Sequence, residues 1–159
     1  MNTISVMPMR QAQPDDWPFV VRMAQVASTL DDRPLPGEDS PAVRSLLPAS
    51  HEAVIIAMDQ RNCPLGAAWW FLHDPPLIAD RGEPVPEMAI AVVESQRCHG
   101  IATALIESLV AEVAKNFGQL SLNVHLLNPA VHLYVQTGFE VAGRGRGVFG
   151  VAMVRAITQ

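Results

Sequence analysis

Glu87-Met88-Ala89-Ile90-Ala91-Val92-Val93, then Glu94-Ser95-Gln96, then Arg97-Cys98-His99-Gly100-Ile101-Ala102-Thr103-Ala104-Leu105: this run reads as a buried strand, a tight turn and the first turn of a helix. Met88 to Val93 is apolar without alternation, the pattern of a strand covered on both faces. From Ile101 the period changes. Ile101, Leu105, Leu109, Val113 and Phe117 recur at every fourth position, with Ile106 and Val110 beside them, which is the broad apolar stripe of a helix lying on a core. Gly118 stands where a helix-ending residue with positive φ is expected.

Outward from this unit the pattern continues. Ile4 to Gln11 is a first strand, irregular or at an edge because of Pro8. Asp15 or Asp16 caps a helix with Pro18 in its first turn, and Phe19, Val20, Met23, Val26, Ala27 and Leu30 follow helical spacing. Residues 31–41 form a loop, and Pro41 to Leu47 a short helix. Ala53–Met58 and Leu65–Leu72 make an antiparallel hairpin about Asp59-Gln60-Arg61-Asn62. The proline-rich connection His73 to Pro86 follows. Gln119 to Leu126 alternates, with Leu120, Leu122, Val124 and Leu126 on one face and Ser121, Asn123 and His125 on the other. Asn128-Pro129 starts a short helix that stops at Gly138. Phe139–Ala142 and Val148–Ile157 are the last strands, joined by Gly143-Arg144-Gly145-Arg146-Gly147. A strand, a crossover helix and another strand give a parallel pair, Met88–Val93 beside Leu120–Leu126, within a mixed sheet.

The turn at residues 97–103 is where chemistry enters. The first N–H groups of a helix have no partner inside it, and the dipole makes that end positive, so it attracts phosphate. Gly100 lets a ligand approach the backbone, and Arg97 adds a charge. Arg97-x-x-Gly100-x-Ala102, placed after an apolar strand and before an amphipathic helix, resembles the pyrophosphate loop of the GNAT superfamily of acyl-CoA-dependent N-acyltransferases. Asn128-Pro129-Ala130-Val131-His132-Leu133-Tyr134, followed by Gly138-Phe139, resembles that family's closing element. Cys98-His99 and Glu94-Ser95 depart from the commoner residues of such loops while leaving the backbone cradle intact. The walker-type and dinucleotide glycine loops are absent.

The resemblance runs through most of the chain. It implies one domain over residues 1–159 with an α/β (α+β) fold: a mixed, mostly antiparallel sheet of about seven strands, helices on both faces, and a splayed parallel pair at the centre. It implies acetyl-CoA as co-substrate, held by Ile90, Val92, Val93, Arg97, Cys98, His99, Gly100, Ile101, Ala102, Thr103, Asn128 and Tyr134. Its pantetheine arm would enter the splayed gap, and a backbone N–H there would polarise the thioester carbonyl. Tyr134 matches the family's proton donor to the departing thiolate; packing in the core is its plainer role. Glu87, just before the strand, is the candidate general base, since a free alkylamine with a pKa of about 10.4 must lose a proton before it attacks. An ordinary strand-end carboxylate is the alternative. His125 is a lesser candidate base, and His73 and Asp74 lesser still. Trp69 and Trp70 either wall a pocket or pack in the core. Arg144 and Arg146 can bind an acidic substrate group or the adenosine phosphate, with a solvated turn as the simpler role. Asn128 caps its helix and can touch the cofactor as well.

Composition bounds the rest. The 159 residues are 49% apolar and 17% charged, as in a globular protein. No stretch approaches the length of a membrane span, and the first residues do not form a signal peptide, so a cytoplasmic location is expected. Cys63 and Cys98 have no metal or redox spacing, and no metal site is expected. A net charge of −5 argues against broad nucleic-acid binding and is compatible with a cationic amine. Exposed sheet edges are compatible with a homodimer. The leading reading is an N-acetyltransferase moving an acetyl group from acetyl-CoA directly to a primary amine on a small molecule or peptide. The competing readings are a non-catalytic acyl-CoA-binding regulatory module of the same fold and a nucleotide-binding protein.

Overall fold

The computed structural model of the chain describes residues 7–30, 33–97 and 100–157. The seven-stranded sheet is built from β1 (Met9–Gln11), β2 (Val54–Met58), β3 (Pro64–Phe71), β6 (Glu87–Val92), β7 (Gln119–His125), β8 (Glu140–Arg144) and β9 (Gly150–Ala156), in the spatial order β1-β2-β3-β6-β7-β9-β8. The remaining strands, β4 (Ala79–Asp80) and β5 (Glu83–Pro84), form a separate ribbon. Among the described residues four α-helices accompany them: α1 (Trp17–Ala27), α2 (Pro41–Arg44), α3 (Ile101–Val113) and α4 (Ala130–Gln136). Every pairing in the large sheet is antiparallel except β6 with β7.

That exception shapes the molecule. β6 and β7 share a single register pair, Glu87 with Ser121, fixed by the Ser121 N–H and Oγ both donating to the Pro86 carbonyl at 2.8 and 3.0 Å. Beyond it the strands diverge. β6 is instead zipped to β3 along its whole length, from Phe71↔Glu87 to Gly66↔Val92.

Two cores lie on opposite faces of this sheet. On one face α3 and α4 cover Met88, Val92, Leu120, Leu122, Val124 and Met153. On the other α1 and α2 cover Ile56, Ala67, Trp69, Ala89 and Ala91. The unbroken apolar run of β6 is thus explained: even positions serve one core and odd positions the other. Trp69 and Trp70 divide in the same way. Trp69 is fully buried against α2, its Nε1 donating to the Leu46 carbonyl at 2.7 Å. Trp70 packs on Phe117 at 5.5 Å on the α3 face.

Several expectations shift. The expected first strand contracts to β1, and Ile4–Val6 lie outside the described residues. Arg10 then grips Asp16, which also accepts from the Gln13 N–H at 2.7 Å and opens α1. The Arg10 hydrogen bond holds the Asp16 carboxyl below its ordinary range. Gly118 is not the left-handed helix stop. α3 ends at Val113, and the Phe117 N–H donates to the Val113 carbonyl at 2.9 Å in a closing turn. The positive φ falls at the other end of α3, at Gly100 (+80°). Leu126 leaves the alternation, because β7 ends at His125 and Leu126 is exposed. The connection 73–86 contains the β4–β5 ribbon, turned through Arg81 (φ +51°) and Gly82 (φ +83°), the left-handed pair that a two-residue hairpin requires.

Candidate active site

Where β6 and β7 part, the chain encloses a cavity of about 730 Å³ that runs from the N-terminus of α3 through the gap to the opposite face of the sheet. Strand alternation decides what the gap offers. The Pro86 carbonyl points to β7, and the Val93 N–H points the other way, donating to Leu65 at 2.8 Å. The backbone groups of Ile90 and Val92 therefore face the gap, on the same side as Pro86. Val93 does not: its N–H is taken by the β3 side, and the residue lies outside this cavity. The Val92 carbonyl accepts from Arg97 Nε at 3.3 Å, which draws the Arg97 side chain back over the end of β6 and along the cavity wall.

Gly100, Ile101, Ala102 and Thr103 form the cavity's α3 end. Ile101 anchors that end, its side chain buried in the core. The first N–H groups of α3 have no intrahelical acceptor. A Cβ at Gly100 would meet no other residue within 4 Å, so the space over the loop is open. Open space over free N–H donors, with Arg97 beside them, fits a pyrophosphate. Cys98 and His99 lie outside the described residues.

On the α4 side, the Asn128 Oδ1 accepts from the Ala130 N–H at 2.9 Å from one residue ahead of the cap position, which Pro129 takes, and Asn128 also lines the cavity. Asn128 and Pro129 thus precede the helix rather than beginning it. Tyr134 projects from α4 toward the gap, its ring edge-on to Phe139 at 6.0 Å. It is 9% exposed, and burial pushes its hydroxyl from 10.0 up to about 12. Tyr134 is therefore a protonated donor throughout the neutral range.

The odd-numbered face of β6 and β7 carries a different chemistry. Glu87, 2% exposed, and Asn123 and His125 line the cavity from the α1 side. Arg146 reaches them from the β8–β9 hairpin and forms an ion pair with Glu87, Nη2 to Oε2, across 59 residues of sequence. Glu87 Oε1 and Arg146 Nη1 are buried with no hydrogen-bond partner. His125 is turned away from base chemistry: its Nδ1 accepts from the Leu127 N–H at 3.0 Å, so the neutral ring carries its proton on Nε2 and has no free lone pair. His73 and Asp74 are not in the cavity, and neither are Trp69, Trp70 or Arg144.

Among the lining residues the sequence did not single out are Asn123, Phe149, Leu30, Arg33 and Leu46. For Asn123 the alternation of β7 was a signal. The others come from loops whose return to the cavity leaves no local trace.

A model of the Acetyltransferase (GNAT) family matches residues 12–139, from the end of β1 to the close of α4. The chain belongs to the GNAT acetyltransferase family. It is an acyltransferase whose co-substrate is acetyl-CoA. Among solved structures it is similar to a GCN5-related N-acetyltransferase from Kribbella flavida, at 20% identity over 94% of this chain and 97% of that one, with a TM-score of 0.69. It is similar to a GNAT superfamily phosphinothricin acetyltransferase from Sinorhizobium meliloti, solved with acetyl-CoA (21% identity, 95% and 88% of the two chains, TM-score 0.66). A ribosomal-protein-alanine N-acetyltransferase from Brucella melitensis is also similar (18% identity, 94% and 99%, TM-score 0.67). No sequence among the curated proteins matches the chain. Among the described residues no group of side chains could hold a metal ion, and no helix is long and apolar enough to cross a membrane.

Proposed function

We propose that this GNAT protein transfers the acetyl group of acetyl-CoA directly to a primary amine, with Glu87 as general base and Tyr134 as general acid. One observation carries the reading: a buried carboxylate and a buried, proton-retaining phenol line one cavity from opposite faces of the gap between β6 and β7.

Donor and acceptor then enter from opposite sides. The N–H groups at 100–103 with Arg97 hold the pyrophosphate, and the gap-facing backbone of Ile90 and Val92 bonds the amide-bearing arm. A backbone N–H of β6 stabilises the negative charge that develops on the thioester oxygen. Glu87, directly or through water, takes a proton from the incoming amine. The nitrogen forms its bond to the carbonyl carbon, the carbon–sulfur bond breaks, and the extra proton left on the nitrogen passes to solvent. Tyr134 gives its proton to the leaving sulfur and recovers one from solvent. A thiol pKa of about 8.5 makes that donation helpful rather than essential. Solved relatives act on acceptors as different as phosphinothricin and a ribosomal-protein alanine, so the fold alone does not choose the acceptor.

The test is acetyl-CoA titration by calorimetry, followed by a panel of amines with mass detection of the acetylated product. Exposed Cys63 makes mass detection preferable to thiol reagents. Sequential kinetics are expected, with both substrates bound before CoA leaves. Release of CoA in a burst without acceptor would indicate an acyl-enzyme and overturn direct transfer. Acetyl-CoA binding with no amine acetylated would favour a non-catalytic binding module.

A further inference from the structure

We propose that the acceptor is a small amine that also carries a carboxylate, its anion held by Arg146 and its nitrogen by Glu87. The inference rests on the acetyl-transfer reading and names the substrate class for that same site.

Arg146 is delivered to the cavity by a backbone made for it. Its own N–H donates to Asn123 Oδ1 at 2.8 Å, and the Gly145 N–H donates to the Gly150 carbonyl at 2.9 Å. A Cβ at Gly145 would collide with Asn123 Oδ1, so the hairpin can fold this close over β7 only because that position is glycine. Asn123 is therefore a positioning residue for Arg146.

The ion pair that results is incomplete. An arginine and a carboxylate that serve only each other tend to pair through two parallel hydrogen bonds. Here one is made, from Nη2 to Oε2, and a donor (Nη1) and an acceptor (Oε1) remain buried and unpartnered. Leaving a charged group's atoms dry and unbonded is unfavourable, and a single ligand relieves both. A carboxylate accepts from Nη1, and an amine donates to Oε1. Because the two side chains touch, the ligand's two ends must lie within a few bonds of each other, as in an α- or β-amino acid.

The charge around the cavity agrees. Its lining carries Arg33, Arg97 and Arg146, against Glu87 as the one carboxylate among the described residues, in a chain of net charge −5. Arg97 lies at the pyrophosphate end. What remains on the acceptor side among the described residues, Arg33 and Arg146 against Glu87, offers more to an anion than to a second ammonium.

The experiment compares, with saturating acetyl-CoA, the proteinogenic L-amino acids, their C-terminal amides and spermidine as acceptors. At least one acid should exceed its own amide by roughly 10- to 100-fold in kcat/KM, the range expected from losing one charge-assisted hydrogen bond. Arg146→Gln should bring that ratio close to one, mainly through KM for the acceptor, with acetyl-CoA binding unchanged. Amides or spermidine used as well as the acids would overturn the proposal, as would an undiminished ratio in Arg146→Gln. Acetyl-CoA binding with no acid of the panel acetylated would overturn it too. Failure to bind acetyl-CoA at all would refute the acetyl-transfer reading itself, so calorimetry separates the two failures.

Discussion

Tyr134 is the chain's single tyrosine, which makes its titration directly readable. Burial raises its hydroxyl from 10.0 to about 12. Below about pH 10 folded and unfolded chains both hold the proton, and folding stability is at its full value. Between about 10 and 12 the unfolded chain releases the proton while the folded one keeps it, so stability falls as pH rises and the loss is complete above about 12. A displacement of two units at 1.36 kcal/mol per unit gives a loss of roughly 3 kcal/mol across that window. Two assays check it. Tyrosinate absorbance in the folded protein should rise with a midpoint about two pH units above that of the urea-unfolded chain. Urea midpoints measured from pH 9 to 12 should fall for the wild type more steeply than for Tyr134→Phe. The difference between the two isolates this one group. A folded-state midpoint near 10, or parallel stability curves, would refute the claim that Tyr134 sits in a dry site.

Other outcomes follow from the same geometry. Glu87→Gln should lower kcat by roughly 100-fold or more, as loss of a general base does, and leave acetyl-CoA affinity unchanged; rate and calorimetry together check this. His125→Ala should cost far less than that, because Nδ1 is already engaged by Leu127; a loss as large as that of Glu87→Gln would assign the base to His125. Tyr134→Phe should reduce kcat by roughly 10-fold at neutral pH, less than a full acid–base contribution because the thiolate leaves readily, and acceptors should show similar KM values. Leu105→Ala, at a fully buried position where α3 meets β3, should destabilise by about 3 to 5 kcal/mol, read as a lower urea midpoint with an unchanged m-value.

How much of the site the sequence disclosed depends on distance along the chain. The strand–turn–helix unit, Asn128 and Tyr134 are local: their residues announce themselves by period, by a glycine, or by a proline after an asparagine. The loop at the start of α3 and the cavity position of Tyr134 were legible for that reason. The α1-side half is not local. Glu87 was found as a strand-end carboxylate, but its partner Arg146 stands 59 residues away in a glycine-rich turn, and such a turn reads as solvated until the hairpin is seen folded over β7. His125 shows a different limit. Its place on the polar face of β7 was right, and its chemistry was decided by a backbone N–H two residues on, which periodicity does not register. Trp69 and Trp70 were left between pocket and core by sequence; buried Trp69 and half-buried Trp70 pack on opposite faces of β3, and neither lines the cavity.

The division between legible and hidden follows the division of labour across the sheet. The donor side must present repeated features of one molecule, a pyrophosphate and an amide-bearing arm, to backbone groups, and backbone groups are specified by glycines, strand ends and helix starts. The acceptor side must distinguish one amine from another, and on the proposed reading the side chains that do so come from separate loops: Arg146 from the last hairpin, Leu30 and Arg33 from beyond α1, Leu46 from beyond α2. Because β6 is bonded along its length to β3 and to β7 at one register pair, the gap can stay open without weakening the sheet. The two halves can therefore vary independently. Substitutions at Asn123 or Arg146 should change which amine is used while leaving acetyl-CoA binding intact. A variant such as Asn123→Ala that lost affinity for both substrates in equal measure would show instead that the two faces are coupled through β7.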